Sequence, residues 1–123
     1  GGATTALILS ILQYIDTKSL NCQAILLTPS NEHSLVVTGL TNSLGEFLCL
    51  KVDTCIEGSD DISDGVQVLV GTPARVYHKV SNGDIDVEAV GMFCLDHAAE
   101  ITLDYTAEVV DTFQLISRHH PVQ

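Results

Sequence analysis

At 123 residues the chain is long enough for one modest hydrophobic core, and it reads as a single domain spanning 1–123. Sixteen acidic side chains face five basic ones (Lys18, Lys51, Lys79, Arg75 and Arg118), a net charge of −11. That balance repels phosphate backbones and argues against tight RNA or DNA binding by this domain alone, although an acidic surface also serves solubility. Apolar residues make up 46% and Trp is absent, which suits a buried sheet of Val, Ile and Leu rather than an aromatic binding face. No apolar run approaches the roughly twenty residues that span a membrane.

The chain opens Gly1-Gly2 without Met, as expected of a fragment with sequence missing upstream. Residues Ala6 to Ile15 (ALILSILQYI) are almost wholly apolar and predict a buried helix. Gln23 to Leu27 is a continuous apolar run ending in Thr28-Pro29, the pattern of a strand buried on both faces. Ser30 and Asn31 are good helix caps, and Val36, Val37, Leu40, Leu44 and Phe47 follow at helical spacing. Leu48 to Ile56 alternates like a strand, and the acidic stretch Glu57 to Gly65 predicts a loop. Val66 to Val70 is a third strand. Thr72-Pro73 then opens a helix in the preferred way, Thr at the cap and Pro at the first helical position. That helix stops before Asn82-Gly83. Met92 to Leu95 is a fourth strand ending in Asp96; Tyr105, Val109, Phe113 and Ile116 mark the last helix; Pro121-Val122-Gln123 starts another strand. Strand and helix alternate without hairpin signals, which predicts an α/β fold: a mainly parallel sheet with helices on both faces, its ligands at the carboxyl ends of the strands.

Four strand ends read, in order, LLTPSNEH, CIEGS, VGTPAR and FCLDHAAE. Together they resemble the PTREL, GG, TPGR and DEAD motifs of the first RecA-like domain of the DEAD-box RNA helicases, especially the eIF4A group. The opening GGATTALILSILQYID is similar to the GKT end of the family's phosphate-binding loop and its helix. The likeness covers essentially the whole chain and implies a three-layer RecA-like domain of the P-loop NTPase type.

Nearly every motif departs from the family pattern. Gly2 and Thr4 match, but Ala3 stands where the family has the Lys that reaches the β- and γ-phosphates. Asp96 matches the first Asp, which helps hold Mg²⁺, whereas His97 replaces the Glu that activates water. Ala98 and Glu100 fit; Ala99 replaces the final Asp. PTREL has become Pro29-Ser30-Asn31-Glu32-His33, without its Arg, and GG has become Glu57-Gly58. TPGR survives best, as Thr72-Pro73-Ala74-Arg75. Thr72 and Arg75 either touch a phosphate still or simply cap a helix and occupy its first turn. The resemblance therefore implies vestigial nucleotide-binding positions at Gly2, Thr4 and Asp96, vestigial RNA-facing positions at Thr72 and Arg75, and no catalytic residue.

Other candidates carry less. His119-His120 is an adjacent pair without a third ligand, and Asp60, Asp61 and Asp64 lack the glycine and distal Glu of an EF-hand, so no metal site is expected. Ser30, Glu32 and His33 lie too close along one turn for a hydrolase triad. Cys22, Cys49, Cys55 and Cys94 form no C-x-x-C pair and read as structural thiols in a reducing, intracellular compartment, cytoplasmic or nuclear.

These readings lead to an inactive, helicase-like domain that binds proteins, in translation or ribonucleoprotein assembly. It would need no cofactor and bind ATP with Mg²⁺ weakly at most; it would bind RNA weakly or not at all alone, and no membrane. A RecA-like sheet without its P-loop strand, and without the strand expected after Gln123, leaves unpaired edges. Either the natural chain continues at both ends, with a second RecA-like domain beyond, or a partner covers those edges; continuation is the favoured expectation. The rivals are an ATP-dependent RNA helicase domain and a nucleotide sensor that binds without turnover.

Overall fold

The computed structural model describes residues 2–55, 62–97, 106–118 and 122–123. In chain order these form helix α1 (Gly2–Tyr14), strand β1 (Ala24–Leu27), helix α2 (Asn31–Leu44), a 3-10 turn (Glu46–Leu48) and strand β2 (Val52–Cys55). Strand β3 (Val68–Gly71), helix α3 (Pro73–Ser81), strand β4 (Met92–Leu95) and helix α4 (Thr106–Ser117) complete the fold. The four strands pair in the order β2-β3-β1-β4, all parallel, with Ala24 opposite both Val68 and Met92.

The strands alternate their side chains between two cores, as the pleat requires. Ala24, Leu26, Val68 and Val70 face one way, onto Ile8, Ile11 and Ile15 at α1 and Val37 of α2. Ile25, Leu27, Cys55 and Leu69 face the other, onto Val76 and Val80 of α3 and Ile116 of α4. Both faces of β1 and β3 are wholly buried, which is why their sequences read as unbroken apolar runs. The result is a three-layer α/β/α domain.

Connectivity follows from handedness. The step from β1 to β2 crosses β3 in one direction, and the step from β3 to β4 crosses β1 in the other. Right-handed crossovers in opposite directions must lie on opposite faces, so α2 and α3 are separated by the sheet. Beyond β4, Gln123 donates its N–H to the Gly91 carbonyl (3.0 Å) and accepts from the Phe93 N–H (2.8 Å), the bonding of a parallel neighbour. The strand start read in 121–123 thus pairs at Gln123; Pro121 lies outside the described residues.

Three sequence expectations are corrected. The first helix begins at Gly2 and buries only a stripe, Thr4, Ile8 and Ile11, leaving Leu9 exposed; apolar composition alone overstated its burial. The second helix stops at Leu44, where Gly45 donates to the Thr41 carbonyl, so Phe47 falls in the 3-10 turn and is 96% exposed. The second strand starts at Val52 rather than Leu48, because Cys49 takes a left-handed backbone (φ 52°) that breaks extension. No helix among the described residues is long and apolar enough to cross a membrane. All four cysteines are free thiols, and Cys49 is exposed rather than core.

Candidate functional site

The sheet creates a crevice where its connections diverge. The chain leaving β1 turns onto the α1/α2 face, and α4 lies on the opposite face. At the carboxyl ends of neighbouring strands this parting leaves a natural binding place. Thr28 to Ser30 follow β1 there, and Asp96-His97 follow β4, held in register by the Asp96 N–H on the Leu27 carbonyl (2.8 Å).

On the β1 side, Thr28 and Ser34 share a buried hydroxyl–hydroxyl bond of 2.6 Å. The Ser30 side chain caps α2 by accepting from the His33 N–H at 3.1 Å, as the cap reading expects. That cap fixes the first turn of α2 and sets His33 at the crevice. On the β4 side, Asp96 is buried, at 3% exposure. Its carboxylate receives the Thr4 hydroxyl from α1, 2.9 Å from Oδ1 and 3.1 Å from Oδ2. His97 has a left-handed backbone (φ 52°), and its Nε2 lies 3.4 Å from the Thr4 hydroxyl and 3.9 Å from Asp96 Oδ2. The His33 and His97 rings sit 4.6 Å apart between centroids, tilted by 57°.

Of the residues singled out from the sequence, Thr4 and Asp96 are thus in direct contact, while Gly2 is the exposed first residue of α1. Thr72 and Arg75 belong to a different strand end, after β3. Thr72 stands at the cap position of α3, yet its side chain makes no capping bond; its carbonyl instead accepts from the Val76 N–H at 3.0 Å. Arg75 is half-buried in the first turn and has a partner. Glu57-Gly58, Ala98 to Glu100, Asp60, Asp61 and His119-His120 lie outside the described residues. The sequence reading missed His33 as a neighbour of Asp96 and His97; among the described residues these three bring one potential ligand atom each within 4.8 Å of one another.

A parallel sheet covered by helices on both faces, with a Thr from the first helix on an Asp at the end of a strand, defines a RecA-like domain of the P-loop NTPase type. No family model matches the chain. Its similarity to curated proteins is nevertheless clear: it is 34% identical over 122 residues to the ATP-dependent RNA helicase eIF4A of Pyricularia oryzae, covering 94% of this chain and 31% of that protein. Identity is also 34% to eIF4A of Schizosaccharomyces pombe and to eukaryotic initiation factor 4A-9 of Nicotiana tabacum. Among solved structures it matches S. cerevisiae Dbp5 bound to Nup159, Gle1, IP6 and ADP with a TM-score of 0.88 at 20% identity, over 98% of this chain and 33% of that one. A DEAD-box protein from Methanococcus jannaschii matches at 0.86 and 22% identity, over 99% of this chain and 35% of that one. The chain is a DEAD-box RecA-like domain, eIF4A-like in sequence. It spans 31% of the length of the first curated relative.

Proposed function

We propose that this domain is a DEAD-box scaffold that has given up ATP turnover and serves as a protein-interaction module, in translation or ribonucleoprotein assembly. The observation that carries the reading is the Thr4–Asp96 bond set between Ala3 and His97. Thr4 and Asp96 supply hard oxygens of the kind Mg²⁺ takes. Phosphate binding needs more, and the side chain of Ala3 is an exposed methyl that offers no positive charge. An imidazole at His97, in place of a carboxylate, changes the group facing any attacking water. The residues present therefore do not fit a Mg²⁺–ATP site of the family's kind, and no hydrolytic step follows from them.

Protein contact draws support from the surface. Leu35 and Val36 on α2 are 52% and 69% exposed, and Phe47 just beyond stands almost fully in solvent. The Dbp5 structures hold Nup159 and Gle1, which makes protein partners reasonable for a domain of the same fold. A net charge of −11 favours such partners over RNA. The eIF4A relationship supports an intracellular location. The second reading is a nucleotide sensor, favoured by the preserved Thr4–Asp96 pair.

The deciding experiment is thermal unfolding with and without millimolar ATP and Mg²⁺, beside a phosphate-release assay. The expected outcome is no shift and no turnover; a shift without turnover supports the sensor. Turnover that disappears in Asp96→Asn would refute the inactive assignment. RNA binding compared at low and moderate salt checks the charge argument.

A further inference from the structure

We propose that His33, Asp96 and His97 form a binding site for Zn²⁺, built from side chains alone and independent of nucleotide. Each residue offers one ligand atom, and these atoms all lie within 4.8 Å of one another. Two imidazole nitrogens and one carboxylate oxygen, with a remaining position for water, are a donor set that zinc takes in proteins. Imidazoles suit zinc and its transition-metal neighbours, whereas Mg²⁺ prefers all-oxygen surroundings.

The three residues come from the first turn of α2 and from the turn that follows β4. His33 is fixed by the Ser30 cap on α2, and Asp96 by its backbone bond to Leu27 of β1. The carboxylate is buried, and among the described residues the Thr4 hydroxyl is its hydrogen-bond donor. Among the described residues that one hydroxyl serves both oxygens, and a buried anion favours a cation beside it. Thr4 also orients the carboxylate, the part that outer partners play around metal ligands.

His97 supplies an independent pointer. A left-handed backbone at φ 52° is uncommon for a residue with a Cβ. Here that turn sets the imidazole beside the carboxylate of the preceding residue, with Nε2 3.9 Å from Oδ2. The rings are tilted by 57° rather than stacked in parallel, and one nitrogen from each lies within 4.8 Å of the other and of an Asp96 oxygen. Zinc–ligand bonds of about 2.0–2.1 Å place tetrahedral ligands roughly 3.4 Å apart. The imidazoles must therefore swing inward, and the 37% exposure of the His97 side chain leaves it room to do so.

The test is isothermal titration of the untagged chain with Zn²⁺, with the visible spectrum of Co²⁺ as a second probe. One zinc per chain is expected, with a raised melting temperature and the absorption of low-symmetry Co²⁺. His33→Ala and His97→Ala should each weaken binding by at least about tenfold and lose the Co²⁺ band, with circular dichroism unchanged. The double variant His119→Ala/His120→Ala should bind like the parent. Absence of binding, binding that survives both single variants, or binding lost only in the double variant would each overturn the assignment.

Discussion

Gln23 and Gln67, at the entering ends of β1 and β3, both donate to one acceptor, the carbonyl of Ser19, each at 2.9 Å. Gln67 also donates to the Thr17 carbonyl at 3.1 Å and accepts from the Lys51 N–H at 3.0 Å. Gln23 holds both backbone groups of Asp16. Both amides are buried, so together they replace water for the connection between α1 and β1 and tie it to the run into β2.

Gln67→Leu keeps the volume but leaves the Lys51 N–H and the Thr17 carbonyl without that partner. Thr17 and Lys51 are exposed residues whose backbone groups can turn to water, so a loss of about 1–2 kcal/mol is expected. Urea unfolding should show a lower midpoint with an unchanged slope. Gln67→Glu would bury a carboxylate oxygen against the Thr17 and Ser19 carbonyls, and should lower the midpoint at least as far at neutral pH.

Gly71 ends β3 where α3 begins. A Cβ placed there would lie 2.8 Å from Val76 Cγ2 and 3.1 Å from Cys55 Cβ, both in the buried core. Neither neighbour is the free end of a long side chain, so Gly71→Ala should destabilise by about 1–3 kcal/mol. Combining it with Val76→Ala should give less than the sum of the two losses, since the space removed is the space required. A double-mutant cycle on urea midpoints measures that coupling.

How far the sequence foretold this arrangement differs from element to element. β1 and β3 were legible because strands buried on both faces need continuous apolar runs; β4 carries the same apolar pattern although its residues are only partly buried. Thr72-Pro73 marked the start of α3 by backbone chemistry alone. The buried stripe of α2 was not legible, because it is Ser34, Val37 and Thr41 rather than the larger apolar residues around them. Small hydroxyl side chains can face the sheet there by returning their O–H to the carbonyls of Ser30 and Val37. In the site, Thr4 and Asp96 were found through family motifs. His33 beside His97 was not, because that proximity comes from the pairing of β1 with β4 and no local pattern carries it.

The Thr4 hydroxyl, which meets both Asp96 and His97 Nε2, can be tested for stability with both histidines kept. Thr4→Val preserves shape but removes the donor to a buried carboxylate, which should cost about 1.5–3 kcal/mol, the range for hydrogen bonds to charged groups. Thr4→Ser keeps the hydroxyl and should recover most of that loss. Chemical denaturation near neutral pH compares the three proteins.

The thiols set an alkaline limit on the fold. Burial pushes Cys22 up to about 12, against smaller opposing help from the Ala24 backbone. Burial likewise pushes Cys55 up to about 12, outweighing the nearby charge of Lys79. An ordinary cysteine ionises near 9, so above that pH the unfolded chain has lost protons that the folded chain retains. Stability should therefore be constant through pH 8, then fall as pH rises from 9 towards 12, by about 1.4 kcal/mol per pH unit for each thiol. Replacing both by Ala lowers stability at neutral pH through lost packing but should flatten this alkaline slope. The measurement is the urea midpoint against pH for the two proteins. At pH 8 an alkylating reagent should label exposed Cys49 well before Cys22 or Cys55, because only the thiolate reacts and burial disfavours it at the latter two.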